Sequence, residues 1–348
     1  MSKVAQHVEQ SEGLVPWTAA EASAYGQRPL VAKHRLQELD LFSDSALTDL
    51  LHSYPRDRLQ AFTMGTDPEK RTDWQPVDTA GATGQDLLQA VSRGRLWYNV
   101  QQVQSVDRRY RDLLDGLYAG LSGRCAGFRP HRMSCTLIIS SPTSQTYYHA
   151  DAQPNLLWQL RGVKRVWAYP AGDRRLIDQE LMEDIFANFA DEEVPFESSW
   201  DRLAESHELH AGEVMSWPQN APHRVVNLQG LNISLSTIHE TEESDRRKLV
   251  YCANRLFHRT YRLPVRSTRE FGVGSYLKRL SYRLLRRGGL VHTPSRRVYL
   301  SGLRIDPRSA VGYVPLPGGP VLTEYSQKEF RMERDAAGKM SVVRRSAA

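Results

Sequence analysis

Between Met133 and His239 the chain breaks into short runs rich in β-branched and aromatic residues: MSCTLIISS, YYHADAQPNLLWQL, KRVWAYP, ELHAGEVMSWP, HRVVNL and LNISLSTIH, punctuated by Pro and Gly. Runs of this composition form strands, and their close spacing fits an antiparallel sandwich or barrel. Most of them have no helix of 10–15 residues between them, which disfavours a doubly wound parallel sheet. The exception is RRLIDQELMEDIFANFADEE, an insert of helical period. At 348 residues the chain can hold one elaborated β core with flanking helices, or two modest domains. With 40% hydrophobic and 25% charged residues it has the composition of a globular protein rather than a collagen-like, low-complexity or disordered one.

Three divisions follow from the texture. Residues 1–94 read as a mixed helical lead-in, with LQELDLFSDSALTDLLHSY at helical spacing and Ser43 or Ser45 as its cap. Residues 95–244 form the β core, opening on the strand LWYNV and the amphipathic helix VDRRYRDLLDGLYAGLSG, stopped by Gly123. Residues 245–348 read as a basic helical region, in which SYLKRLSYRLLRRGG has Ser275 as cap, Leu277, Leu280 and Leu284 on one stripe and Gly288 as stop. The expected class is mainly β with flanking helices (α+β). Cys125, Cys135 and Cys252 lack paired spacing, which argues against a disulfide framework or a thiolate zinc site and fits a reducing compartment. MSKVAQHVEQSEGLVPW has no apolar core of an export signal, and no run of 18 apolar residues occurs, so a soluble cytoplasmic protein is expected.

Charge is unevenly placed. The net charge is +6, yet residues 245–304 hold 16 Lys and Arg against 2 acids, a local +14 that leaves the remainder at −8. Such a stretch attracts nucleic acid, anionic lipid or an acidic substrate, unless it is only a solvated face with crossing ion pairs.

Tyr147-Tyr148-His149-Ala150-Asp151 sets an imidazole and a carboxylate at i and i+2, which on a strand leave the same face. His223, in PQNAPHRVVN, follows a Gly212-Glu213 turn and a short strand, where a barrel strand can return alongside the first. Two imidazoles and one carboxylate leave three adjacent positions open on Fe(II), enough for a bidentate co-substrate and O₂. Zinc with three protein ligands and a water suits the same residues in a hydrolase. Taken alone, His149 and Asp151 also read as a hydrogen-bonded surface pair. His207 and His210, in HELH, lack the second histidine of an HExxH site and read as strand.

The string around these residues resembles the JmjC or cupin-like branch of the Fe(II)/2-oxoglutarate oxygenases, and in motif pattern its asparaginyl hydroxylase group. The resemblance rests on Thr146, His149-Ala150-Asp151, Asn155, Gly162-Val163-Lys164-Arg165 followed by Tyr169-Pro170, and Gly212-Glu213 leading through Trp217-Pro218 to Pro222-His223. It spans about Ser134 to Ser236, under a third of the chain. It implies a double-stranded β-helix (jelly-roll) core with helical additions at both ends, and Fe(II) on His149, Asp151 and His223. It also implies that Lys164 and Thr146 hold the far carboxylate of 2-oxoglutarate, with Asn155 supporting the ligands or orienting substrate. Tyr98 stands where a family tyrosine reaches the co-substrate. Ser236 takes the place of a family asparagine, with Asn232 and Ser234 nearby. The aromatic pair usual before the distal histidine is replaced by Asn220-Ala221-Pro222.

The activity implied is hydroxylation of an unactivated C–H with O₂ and 2-oxoglutarate, first on a peptide or protein side chain. An anionic glycolipid, sugar or small molecule is the alternative substrate. Rival classes are a non-catalytic cupin-like binding protein and a zinc hydrolase on the same barrel. For residues 245–304 the readings are an anionic partner, including a location peripheral to a membrane surface, or a homodimer through the C-terminal helices.

Overall fold

The computed structural model describes residues 13–192, 194–292, 298–327, 329–336 and 338–345. Most of the stretch read for an export signal therefore lies outside the described residues. Ten strands build the core: Leu30–Lys33 (β1), Leu59–Thr63 (β2), Gln75–Asp78 (β3), Leu96–Val100 (β4), His131–Ser140 (β5), Gln145–His149 (β6), Asn155–Ala168 (β7), Glu205–His210 (β8), Glu213–Ser216 (β9) and His223–Glu240 (β10).

Two of these strands are long enough to serve two sheets. The first half of β7 pairs with β9 and with the second half of β10, while its second half pairs with β8 and the first half of β10. β10 correspondingly pairs with β5 at one end and β6 at the other. The result is a larger sheet running β1-β9-β7-β10-β5-β4-β2-β3 and a smaller one running β8-β7-β10-β6, rolled around a shared interior. This is a double-stranded β-helix, as expected. The strands turn from one sheet to the other at register shifts between Asn227 and Ser234. Gly162 sits at this corner of β7 with φ +77, and a Cβ there would lie 2.8 Å from the Asn232 side chain and from the Leu231 carbonyl, so only glycine fits.

Strand alternation sorts the side chains. Leu157, Val166, Ala168, Met215, Trp217 and Val225 fill the interior between the sheets. Leu156, Trp158, Leu160, Leu137, Ile139 and Leu235 face outward and are covered by helices Asp44–Ser53, Gly84–Arg93 and Arg108–Arg124. A further layer of helices, Gln179–Phe186, Glu242–Asn254 and Val273–Arg287, packs by the smaller sheet around Tyr148, Tyr169 and Phe186. The helical insert is thus a real helix, capped by Asp178. Ser43, of the two candidate serines, caps Asp44–Ser53. No helix among the described residues is long and apolar enough to cross a membrane.

Four expectations need correction. The lead-in 1–94 is not a separate helical unit, since β1 pairs with β9 and β2 and β3 extend the larger sheet. The C-terminal region is not purely helical: Leu300–Ser301 (β11), Leu303–Ile305 (β12) and Tyr313–Pro315 (β13) follow the helices, and β12 adds parallel to β3. The core helix runs one residue beyond Gly123, to Arg124. The basic helix begins at Val273 behind Gly272, whose φ of +95 suits glycine, and Ser275 lies inside it. All three cysteines are buried and free.

Trp158 joins these layers. Its ring is fully buried, stacks on Trp17 at 6.5 Å, and its Nε1 donates to Thr237 Oγ1 at 2.9 Å. Trp158→Ala should cost about 3–5 kcal/mol of stability. A fall in the urea midpoint at constant m-value would register this, and an unchanged midpoint would disprove the packing argument.

Candidate metal centre

The donor set forms where β6, the loop after it and the start of β10 meet. His223 pairs in register with His149 on one side and Ala168 on the other, so both imidazoles point to the interior. Asp151 is not on the strand, as alternation suggested, but in the loop two residues past its end. That loop is tied down from three directions. Asn155 Nδ2 donates to Asp151 Oδ2 at 2.8 Å, Asn220 Nδ2 donates to the Asp151 carbonyl at 2.8 Å, and Glu192 accepts from the backbone N–H groups of Ala150 and Ala152, each at 3.0 Å.

His149 Nε2 lies 3.7 Å from Asp151 Oδ1, and His223 Nε2 lies 3.6 Å from Asp151 Oδ2. One donor atom from each of the three residues falls within 4.8 Å of the others, close enough to converge on one ion. The Nδ1 of His149 faces the Tyr147 carbonyl at 2.7 Å and that of His223 the Ala221 carbonyl at 3.1 Å. A carbonyl only accepts, so each Nδ1 carries the proton and each Nε2 turns a lone pair inward. Burial pushes the Asp151 carboxyl above its ordinary value, and burial, aided by His149, pushes the His223 imidazole well below its own. With Nδ1 of each histidine facing a carbonyl, two imidazole lone pairs and one carboxyl group face the same interior point, a donor set that suits a divalent cation.

From behind, His223 is held by its neighbours. The Trp217 ring centroid is 4.1 Å from that of His223. Arg224, nearly buried on the opposite face, lies over Trp167 at 3.5 Å and donates from Nε to Asp201 Oδ1 at 3.0 Å. Tyr169 donates to the same carboxylate at 2.5 Å and takes the Pro222 carbonyl through its backbone N–H at 2.9 Å.

Lys164 lies on the same inward face as the triad, two inward positions along β7 from Ala168, the partner of His223. It is 3% exposed and donates to Ser234 Oγ at 2.6 Å. Ser234 in turn donates to Gln159 Oε1 at 2.6 Å, and Gln159 donates to Asn232. Among the described residues no carboxylate pairs with Lys164. Burial lowers its ammonium from the usual lysine range to about 7. Thr146 pairs in register with Val225, itself opposite Val166, which places it on this interior face beside the Lys164 row.

Two sequence assignments shift. Tyr98 faces outward, fully buried under the helix Gly84–Arg93, where its hydroxyl donates to the Leu87 carbonyl at 3.1 Å. Strand alternation turns Trp97 and Asn99 the other way, and Trp97 Nε1 is buried without a hydrogen-bond partner among the described residues. Ser236 faces inward but accepts from Asn155 Nδ2 at 3.2 Å, and Ser234, not Ser236, is the neighbour of Lys164. Asn155 reaches Asp151, in keeping with a supporting role. His207 and His210 lie on β8 and bond to Glu213. Asn220 and Glu192 were not legible as site residues, because their contacts span 69 and 40 residues. A second cluster, His131, Glu240 and Asp245, is already neutralised by Arg132, 2.7 Å from Asp245, and by Lys248.

A cleft of about 1020 Å³ adjoins the centre at Asn155, Trp217, Asn220 and Pro222. Its outer walls carry both signs of charge, including Arg174, Arg246 and Arg247 with Asp173, Glu242 and Glu270.

In class, then, the chain is a double-stranded β-helix protein with two histidines and an aspartate gathered in its interior. Among solved structures it is similar to the ribosomal oxygenase YcfD of Escherichia coli. In one structure the identity is 13%, with 76% of this chain and 65% of that one covered at a TM-score of 0.46. In another, a complex with cobalt and 2-oxoglutarate, it is 15%, with 75% and 63% covered at 0.43. An RmlC-like cupin from Shewanella frigidimarina shares 14% identity over 33% of this chain and 72% of its own, at 0.21. The chain thus spans just under two thirds of the length of those two YcfD chains. No protein-family model and no curated protein matches it.

Removing the amide that steadies Asp151, in Asn155→Ala, should weaken Co(II) binding about 10- to 100-fold. Calorimetric titration with the circular dichroism spectrum unchanged checks this, and wild-type affinity in the variant would refute the supporting role.

Proposed function

We propose that the protein is an Fe(II)- and 2-oxoglutarate-dependent hydroxylase. The observation that carries this reading is Lys164, a buried lysine on the same interior face as the metal donors, with which no carboxylate among the described residues pairs. A buried cation is costly unless an anion joins it. A zinc hydrolase has no use for such a group, whereas a dicarboxylate held by the metal at one end would supply its partner at the other. The donor set fits as well, since three ligands on one side suit ferrous iron with open positions.

His149, Asp151 and His223 would hold the iron. With iron and 2-oxoglutarate bound, the centre supplies oxidative power from O₂ coupled to loss of CO₂ and formation of succinate. The residues of this chain do the rest. Lys164, with two N–H groups beyond the one given to Ser234, binds and orients the far carboxylate by charge-assisted hydrogen bonds. Thr146 offers a hydroxyl on the same face. Asn155 and Asn220 keep Asp151 in place, and the interior packing of Leu157, Met215, Trp217 and Val225 excludes water.

For the substrate, the cleft beside the centre is at the upper end of the size of small-molecule pockets and carries both signs of charge. Both properties favour a peptide or protein side chain over an anionic glycolipid, sugar or small metabolite.

Anaerobic addition of Fe(II) and 2-oxoglutarate should produce a weak visible charge-transfer band, followed by O₂-dependent succinate release. Turnover without O₂ and indifference to 2-oxoglutarate would establish the hydrolase instead, and absence of both band and turnover the non-catalytic binder. The lysine adds a pH signature. Free Lys164 titrates at about 7 and a bound carboxylate raises it. Binding above pH 7 therefore takes up a proton, and affinity should fall by up to about tenfold per pH unit until the bound-state value is passed. Lys164→Met should weaken 2-oxoglutarate binding about 10- to 100-fold and flatten this slope. An unaltered slope in the variant contradicts the assignment.

A further inference from the structure

The helix Val273–Arg287 presents an apolar stripe outward. Its inner side is anchored: Ser275 and Tyr282 are buried, and Lys278 Nζ donates to Asn254 Oδ1 at 2.7 Å and to the Ser267 carbonyl at 2.6 Å. These contacts set the rotation of the helix, so the residues on its far side cannot turn inward. Val273, Tyr276, Leu277, Leu280 and Leu284 stand at i, i+3, i+4, i+7 and i+11, one stripe of a 3.6-residue helix. Val273 is 76% exposed and Leu284 62%. Phe271 and Leu290 extend the exposed apolar line past both ends. Helical spacing sets Arg283 and Arg287 along one edge of this stripe. Among the described residues Arg283, Arg286 and Arg287 have no acidic partner, and no Asp or Glu occurs between Phe271 and Ile305.

We infer that this face docks on an anionic lipid surface. Charge complementarity selects the occupant. A second copy packed on the same stripe would cover the leucines but bring no carboxylate to Arg283 and Arg287, since the helix carries none. Nucleic acid would satisfy the arginines and leave a leucine row in water. A lipid surface answers both features, taking the apolar side chains into the acyl boundary and the guanidinium groups to phosphate, the division found in interfacial helices. The stripe also begins at the rim of the cleft. Phe271 lies under Arg246 at 4.4 Å, and its neighbour Glu270 lines the cleft and pairs with Arg247 at 2.8 Å. Docking therefore brings the cleft mouth to the lipid surface, whatever reaction the metal centre performs.

The test is flotation of the full chain with vesicles of phosphatidylcholine alone or mixed with phosphatidylglycerol. The parent should float only with the anionic vesicles, and added salt should weaken it. Leu277→Glu with Leu284→Glu, and separately Arg283→Glu with Arg287→Glu, should each lower vesicle affinity at least about tenfold. These side chains are exposed, so circular dichroism and metal binding should stay at parental values. No flotation, or equal flotation with both vesicle types, overturns the inference. So does a dimer, seen by light scattering without lipid and split by the leucine pair, in a chain that does not float. Binding to polyglutamate but not to vesicles assigns the face to an acidic protein and overturns it too.

Discussion

Everything in the interior depends on β7 and β10 staying paired through both sheets. At 14 and 18 residues they are the longest strands, and each turns a corner partway along. Because side chains alternate, a one-residue slip in their register would exchange inside for outside along the whole pair. The pairing of His223 with Ala168 and of Lys164 with Asn227 thus sets the metal donors and the lysine on one face. Asn227 reinforces it, donating from Nδ2 to Ser140 Oγ at 2.8 Å and to the Ser141 carbonyl at 2.7 Å, which fastens the lysine end to β5.

Polarity is tolerated in this interior because it is grouped. The Lys164-Ser234-Gln159-Asn232 chain and the Asp151-Asn155-Ser236 chain meet the walls of the barrel at different levels, with apolar side chains such as Leu157 and Val166 between them. Each chain is satisfied internally except at its charged member. Asp151 and Lys164 are the ionisable members of the two chains, and the metal and dicarboxylate proposed above would answer one each. The same groups cost stability in the free protein, so ligand binding and folding are coupled through them.

How much of this the sequence disclosed depended on range. The β core was legible from composition and spacing, and the helical insert from its period, because both signals are local. His149, Asp151, His223 and Lys164 were picked out through the resemblance of the surrounding string to the oxygenase motif, since His149 and Asp151 alone also read as a surface pair. Tyr98 was expected at the co-substrate but faces outward, because the face of a short strand is set by its pairing, here of Trp97 with Ser140 and Tyr98 with Ile139. Ser236 and Ser234 both face inward on β10, and only the fold shows that the first bonds Asn155 and the second Lys164. Asp151 reached its place by a loop rather than by alternation, and Asn220 and Glu192, which hold that loop, are distant in sequence and ordinary in type. The strands of the first 94 residues were missed because β1 and β3 are four residues each, too short to show a period.

The uneven charge noted along the sequence acquires a physical arrangement in the fold. Part of the basic excess is consumed internally: Arg255 and Arg259 clamp Asp184 of the insert helix, Arg247 holds Glu270, and Arg266 reaches Glu180. These pairs fasten the C-terminal helices to the insert and the cleft wall. Among the described residues Arg283, Arg286 and Arg287 have no acidic partner, and they stand beside an apolar row that the core does not need. A helix kept only for packing would gain from polar residues on its outer face, since exposed leucines favour association and add nothing to burial. Compensated charge inside thus fastens the segment to the fold, and the docking proposed for its outer face rests on uncompensated charge beside exposed leucine.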